Sequence, residues 1–492
     1  MSSTIIIVGG GIVGSALAHF LSSSSSSSSR RKIILIDNSL TPLQGSTAHA
    51  PGYVGQFNES STLTRLAIDS VAEYAKIPNG FEVLGGIEAV ATQEGISRLQ
   101  TRCDAAVQRG LSARIITPAQ AAGLAPDLVR QDDIQAALYF ATDGVANATA
   151  ITAFYQQQAR RKGVEFVEGV VGGIRYGEDW EVVGVEVEEV VKEDSNEVEG
   201  NDSQTVKRKV TRIIETNTLI LATGIWTQDL CADLNIPIPI IPVAHPYMYI
   251  KHDRPADDDT SSQSNISPRS GTLLSPSGSL SSSSSPSPLS NTTQKSPLFS
   301  RLNNNNNKPS PWVRYPEHQV YARDHGDFYG VGTYDHGPAM YCEPSDHVAI
   351  GPWHDEVFTS ALERAKTLIP ILATHDGEKD PSMVGRGVGG GGRVSTAMPE
   401  TKFNGLFSMT PDNLPLAGKV DGRKGLYLCA AVWVTHAAGA ARFVAGLVEE
   451  KERADNDTVR DLDPGRFRGR AWGELKEQSL KGYSQIYHTG EN

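Results

Sequence analysis

The chain has 492 residues, 39% of them hydrophobic, and a net charge of −12. That length accommodates two sizeable domains, or one domain carrying a large insertion. The negative balance and the lack of a dense basic patch argue against nucleic acid as a partner, and no apolar run is long enough to cross a bilayer.

The first strand is expected over residues 5–8, a short β-branched apolar run of the kind a buried parallel strand requires. It begins so early that no signal or transit peptide is expected. Gly9, Gly11 and Gly14 follow at once in G-x-G-x-x-G spacing, and Val13, Ala16, Leu17, Phe20 and Leu21 then fall at helical spacing. Such a turn brings the backbone close to a pyrophosphate and presents helix N–H groups to it. Residues 32–36 form the next expected strand, and Asp37 at its end is placed to accept a ribose hydroxyl. The serine tract at 22–29 between helix and strand is an exposed connection without chemistry of its own.

Further on, Thr117 and Pro118 predict an N-cap and first helical position for a helix ending near Leu124. A second helix is expected over residues 148–162, followed by extended chain at 164–167. Two valine-rich alternating stretches within 177–210 flank an acidic hairpin or loop, and 218–221 is another buried strand ending in Ala222, Thr223 and Gly224. Residues 253–311 are rich in Ser, Pro and Asn, a composition that cannot bury enough apolar surface to offset its ordering entropy, so a disordered insertion is expected there. Residues 312–334 are dense in aromatics and histidines. After the glycine run at 385–392, strands are expected at 405–409 and 426–430, and a helix with a small-residue face over 433–449.

Cys103, Cys231, Cys342 and Cys429 are scattered without C-x-x-C spacing, which suits reduced thiols in a cytoplasmic protein. His318, His325 and His336 match no zinc pattern, so no metal site is expected. No G-x-S-x-G elbow appears, which removes support for serine hydrolase chemistry.

His49 lies within Gly45, Ser46, Thr47, Ala48, His49, Ala50, Pro51 and Gly52, a short loop beyond the dinucleotide turn. Taken alone it is a structural histidine, a loop histidine or a covalent tether. Four further segments accompany it in order: Val243 to Tyr247 around His245, Val320 to Gly326 around Tyr321, residues 403–407 with Thr410 and Asp412, and residues 432–439 with Thr435 and His436. Together these resemble the dimethylglycine- and sarcosine-oxidising flavoproteins of the D-amino-acid-oxidase-like superfamily, over nearly the whole chain.

The resemblance implies FAD, bonded covalently through His49, and places His245 and Tyr321 beside an amine substrate as catalytic residues. The expected cofactor contacts are Gly9, Gly11, Gly14, Asp37, Thr47, His49, Gly224, Trp226, Thr435 and His436. Backbone N–H groups at the start of the 433–449 helix are expected to face the flavin. His245 suits orienting the substrate or holding its amine neutral, and Tyr321 suits bonding its carboxylate or relaying a proton; each has a bland alternative as a packed core residue. Arg323 and His325 are weaker candidates, Arg323 being equally readable as an exposed strand arginine. The chain ends about where such relatives continue into a folate-binding domain.

The expected fold is α/β: a discontinuous Rossmann-like FAD-binding domain (1–85, 140–235 and 385–455) with an inserted substrate domain on a mostly antiparallel sheet (86–139 and 236–384), then a C-terminal extension (456–492). The expected reaction is oxidation of an N-methyl amino acid such as dimethylglycine or sarcosine, with oxygen or an electron-carrier flavoprotein as acceptor. Oxidation of another secondary amine or amino acid, and a non-catalytic flavoprotein subunit, are the alternatives.

Overall fold

The computed structural model describes residues 4–23, 31–193, 206–251, 309–326, 328–341, 348–373, 402–450 and 455–487. The Ser/Pro/Asn-rich stretch expected at 253–311 lies outside them except for its last three residues, as do most of the serine tract and the 385–392 glycine run. Among the described residues the strands form four sheets, of six, nine, three and three strands.

The six-stranded sheet runs in the order Leu416–Lys419, Leu426–Ala430, Thr218–Leu221, Thr4–Val8, Lys32–Asp37, Glu165–Glu168. All neighbours are parallel except the first pair. Both faces are covered, which is why these strands read as continuous apolar runs. Ile5, Ile7, Ile33 and Leu35 join a core with Leu17, Ile151, Tyr155 and Val444 from the helices Ile12–Ser23, Ala148–Arg161 and Ala437–Glu449. Ile6, Val8, Ile34 and Ile36 instead pack against Val171, Val182, Val185 and Val187 of an antiparallel three-stranded sheet. Each of these fully buried side chains is worth about 1.5–3 kcal/mol, so a one-residue slip of a central strand is heavily disfavoured.

The nine-stranded sheet is antiparallel apart from one parallel contact, between Trp312–Tyr315 and Gly86–Val90. Its order is Ile350–Gly351, Lys402–Met409, Ile241–Lys251, Phe328–Thr333, Val320–Asp324, Trp312–Tyr315, Gly86–Val90, Ala136–Phe140, Ala113–Ile116. The strand Lys402–Met409 falls in the stretch assigned above to the FAD-binding domain, yet it pairs with Ile241–Lys251, His245 lying opposite Gly405. The α/β fold is thus a parallel nucleotide-type sheet beside a mostly antiparallel one.

Local signals hold where capping chemistry is explicit. Pro118–Leu124 is a helix whose N-cap Thr117 and Gln120 form a reciprocal capping box. The expected helix over 433–449 starts later, at Ala437, because Trp433 is extended and Val434–His436 form a 3-10 turn. No helix among the described residues is long and apolar enough to cross a membrane.

Candidate active site

A cavity of about 490 Å³ lies between the carboxyl edge of the six-stranded sheet and the nine-stranded sheet. Of the residues expected at the site, Gly9, Gly11, Asp37, Thr47, His49, Gly224, Trp226, His245, Tyr321, Thr435 and His436 all line it. Gly14 does not. A Cβ there would stand 1.8 Å from the Gly9 carbonyl oxygen, so Gly14 serves the close packing of helix on strand. Gly9 itself has φ +106, and a Cβ on it would meet the Ala222 carbonyl oxygen at 2.3 Å. Only glycine lets the first strand turn into its helix against the Ala222 segment.

Asp37 is more committed than its sequence position implied. Its carboxylate accepts from the Gly10 N–H at 2.5 Å and from the Ser39 N–H at 2.8 Å, which fixes the turn. Thr47 Oγ1 accepts the Ile12 N–H at 3.1 Å, and Ser46 Oγ donates to the Leu406 carbonyl at 2.9 Å. The Ser46–His49 turn is therefore pinned between the nucleotide helix and the nine-stranded sheet. His49 stands on that turn, 6.3 Å from the Phe403 ring. Its Nε2 is buried and has no hydrogen-bond partner among the described residues. Burial lowers its pKa, against a backbone hydrogen bond at Gln44, so the neutral, nucleophilic imidazole is favoured.

His245 sits on the long strand Ile241–Lys251, 3% exposed, with Tyr321 facing it from Val320–Asp324. Its Nε2 lies 2.8 Å from the Tyr321 hydroxyl and its Nδ1 lies 2.8 Å from the Tyr483 hydroxyl. Burial holds the His245 pKa well below the histidine range and pushes Tyr321 well above the tyrosine range, so both are neutral near pH 7. Tyr334 and Phe407 close around the imidazole at 4.5 and 4.9 Å between ring centroids. A second pair lies behind the first, where the Tyr247 hydroxyl meets His325 Nε2 at 2.8 Å. Arg323 is not an exposed strand arginine: it is 8% exposed and donates to the Pro51 carbonyl, bracing the His49 loop.

The sequence reading also missed Arg314, the only lysine or arginine lining the cavity among the described residues. It is opposite Tyr321 in an antiparallel pair, so both side chains share a sheet face. It donates to the Tyr53 hydroxyl and pairs with Glu88 at 3.1 Å. Glu88, 1% exposed, is already held by Arg102 at 2.9 and 3.0 Å. Arg102 also pairs with Glu59, so two carboxylates match the two guanidinium groups and Arg314 is the cation of the cluster that reaches the cavity. Burial opposes the Arg314 charge, but Glu88 and Tyr53 carry its pKa above the usual arginine range. Tyr487, in the expected C-terminal extension, also lines the cavity, with the Arg314 guanidinium 5.0 Å from its ring centroid.

The helix Ala437–Glu449 departs from expectation at its start. The Ala438 N–H donates to the Tyr74 hydroxyl at 3.3 Å and the Gly439 N–H to Ser70 Oγ at 2.9 Å. Those two donors are consumed by the helix Ser61–Tyr74, because Gly439 allows the helices to touch. The cavity is reached instead by the preceding segment, Val432 to His436.

These features suit a flavin dinucleotide. The glycine turn and Asp37 suit its nucleotide end, while the unpartnered His49 Nε2 offers a bonding atom nearer the antiparallel sheet.

Comparison with known proteins agrees with this fit. The chain is 21% identical over 400 residues to mitochondrial sarcosine dehydrogenase of Mus musculus, and equally to that of Homo sapiens. The match covers 78% of this chain and 33% of each relative, so the chain spans about a third of the length of these curated relatives. In structure it is similar to L-proline dehydrogenase from P. horikoshii, with a TM-score of 0.64 and 18% identity over 95% of this chain and 98% of that one. Glycine oxidase from Bacillus cereus gives a TM-score of 0.60 and 18% identity over 94% and 98%. Residues 4–447 match the model of the DAO family, FAD dependent oxidoreductase, and the chain belongs to that family.

Proposed function

We propose that this protein oxidises an N-methyl amino acid of the dimethylglycine or sarcosine type, using FAD bound covalently through His49. The observation that carries the reading is a single cavity in which the dinucleotide turn, the neutral His245–Tyr321 pair and Arg314 converge. Gly9, Gly11, Asp37 and Thr47 would hold the dinucleotide, and His49 Nε2 would form the bond that fixes the ring. When bound, FAD supplies the two-electron acceptor for a hydride from the carbon beside the substrate nitrogen.

The chain's own residues do the remaining work. Arg314 binds the substrate carboxylate in the fork geometry that guanidinium groups favour. A hydride leaves the N-methyl carbon only when the nitrogen lone pair is free, so the ammonium must first lose a proton. Tyr321, hydrogen-bonded to a neutral His245, is the group that takes it. Tyr334, Phe407 and Phe403 wall the cavity with apolar surface and restrict water around the reacting carbon. The iminium product takes up water to give the demethylated amine and formaldehyde. Either oxygen or an electron-carrier flavoprotein serves as the final acceptor.

Arg314 fits any α-amino acid equally, so the companion reading is oxidation of another secondary amine or amino acid. The experiment is an amine panel with formaldehyde detection, combined with acid precipitation and a denaturing gel. Flavin fluorescence should stay with the protein band and disappear in His49→Ala, and formaldehyde should match turnover of sarcosine or dimethylglycine. Free flavin in the supernatant of the unaltered protein sinks the tether. Oxidation of glycine or proline without formaldehyde selects the companion reading.

A further inference from the structure

The His245–Tyr321 pair is not a dead end. His245 Nδ1 meets the Tyr483 hydroxyl at 2.8 Å, Tyr483 meets His336 Nε2 at 3.0 Å, and His336 Nδ1 lies 2.8 Å from the Gly337 carbonyl oxygen. Tyr321, His245 and Tyr483 are buried, whereas His336 is half-buried and Gly337 is exposed. The chain of contacts therefore runs from the cavity wall to the surface, through a tyrosine of the C-terminal helix Trp472–Ser484.

Its polarity follows from its outer end. A carbonyl oxygen only accepts, so His336 Nδ1 carries a hydrogen and, in the neutral ring, Nε2 is an acceptor. Tyr483 then donates to His336 Nε2 and its oxygen accepts from His245 Nδ1–H. That leaves His245 Nε2 to accept from the Tyr321 hydroxyl, whose oxygen is the terminus at the cavity. All four groups point their hydrogens in one sense, from cavity to surface.

We propose that Tyr483 and His336 form the outer half of a proton relay that carries the substrate's ammonium proton from Tyr321 through His245 to solvent. In one pass Tyr321 takes the ammonium proton on oxygen and gives its own to His245 Nε2. The His245 Nδ1 proton moves to Tyr483, and the Tyr483 proton moves to His336 Nε2. His336, momentarily cationic, releases one proton to water. Each residue gives and receives one proton and no redox change occurs; the proton that oxygen takes up when it is finally reduced enters by the same shifts run inward, is consumed at the cavity, and restores the starting tautomers. The groups facing His336 are Asp335, its ion-pair partner Arg364 at 2.7 Å, the Thr333 carbonyl, Tyr483 and His245.

The inference rests on the amine-oxidation reading for its proton source, and the test separates the two. Nitrogen-15 spectra of histidine-labelled, full-length protein should show His245 and His336 both as Nδ1–H tautomers; an Nε2–H tautomer at His245 overturns the relay whatever the substrate is. Sarcosine reduction of the flavin, followed anaerobically against pH, should be slowed roughly tenfold or more in Tyr483→Phe and His336→Gln where the amine is protonated. The defect should vanish at alkaline pH, where no proton has to leave. A slowing equal at every pH is a packing defect and overturns the relay. No flavin reduction by any amine in the unaltered protein refutes the amine reading instead, and the tautomer measurement still decides the polarity.

Discussion

Arg314 gives the sharpest residue-scale prediction. Replacing it with methionine keeps the aliphatic volume and leaves Glu88 bonded to Arg102, so the buried carboxylate does not lose its only partner. A hydrogen bond between charged groups is worth about 1.5–3 kcal/mol, or roughly a 10- to 100-fold change in binding. Arg314→Met should raise the KM for an amino-acid substrate by that factor, and steady-state kinetics should show little change for a methylated amine without a carboxylate. An equal loss for both would remove Arg314 from carboxylate recognition. Its absence from the sequence reading has a physical cause. His49, His245 and Tyr321 were legible because each sits in a segment with a recognisable pattern. Arg314 reaches the cavity through register, by standing opposite Tyr321 across a strand pair, and through the Glu88–Arg102 neighbourhood supplied by distant parts of the chain.

Among elements, the helix Ala437–Glu449 shows how far local propensity can mislead. Alanine is favoured over glycine in a helix by about 1 kcal/mol, so Gly439→Ala looks stabilising. Yet a Cβ at Gly439 would stand 2.4 Å from the Leu66 carbonyl oxygen of the facing helix, a backbone atom that cannot swing aside. Overpacking of this kind costs about 1–3 kcal/mol and should outweigh the propensity gain. The variant should melt at a lower temperature in calorimetry. A rise in melting temperature would show that the helices separate without cost. Elements whose signals are local were readable: Pro118–Leu124 from its capping box, and Thr218–Leu221 from its apolar run. The strand Lys402–Met409 was readable as a strand, but its sheet was not. A period-two pattern says which face is buried and nothing about which strand is its neighbour.

For the whole molecule, the consequence of burying so many neutral histidines is sensitivity to acid. Burial holds His245 and His325 well below the histidine value of 6.5, and His436 at about 4. In the unfolded chain all three take up protons near 6.5. Their contribution to stability is thus complete above about pH 6.5 and erodes as pH falls towards the folded values. For His436 the loss is on the order of 3 kcal/mol by pH 4. Asp143 works in the opposite sense. Its buried carboxyl is raised from 3.8 to about 7, so it binds a proton in the folded state first and adds stability as pH falls from about 7. That gain offsets roughly one histidine, and the raised Glu88 and Asp69 carboxyls work with it, while the lowered His19, His49, His245, His325 and His336 all work against it. Urea midpoints should therefore peak near neutrality and fall steadily between pH 6.5 and 4. Asp143→Asn, whose side-chain oxygen can still accept from the Gln56 N–H at 3.0 Å, should fall more steeply over the same range. A flat profile, or parallel profiles for the two proteins, would mean that these histidines become solvated before the chain unfolds.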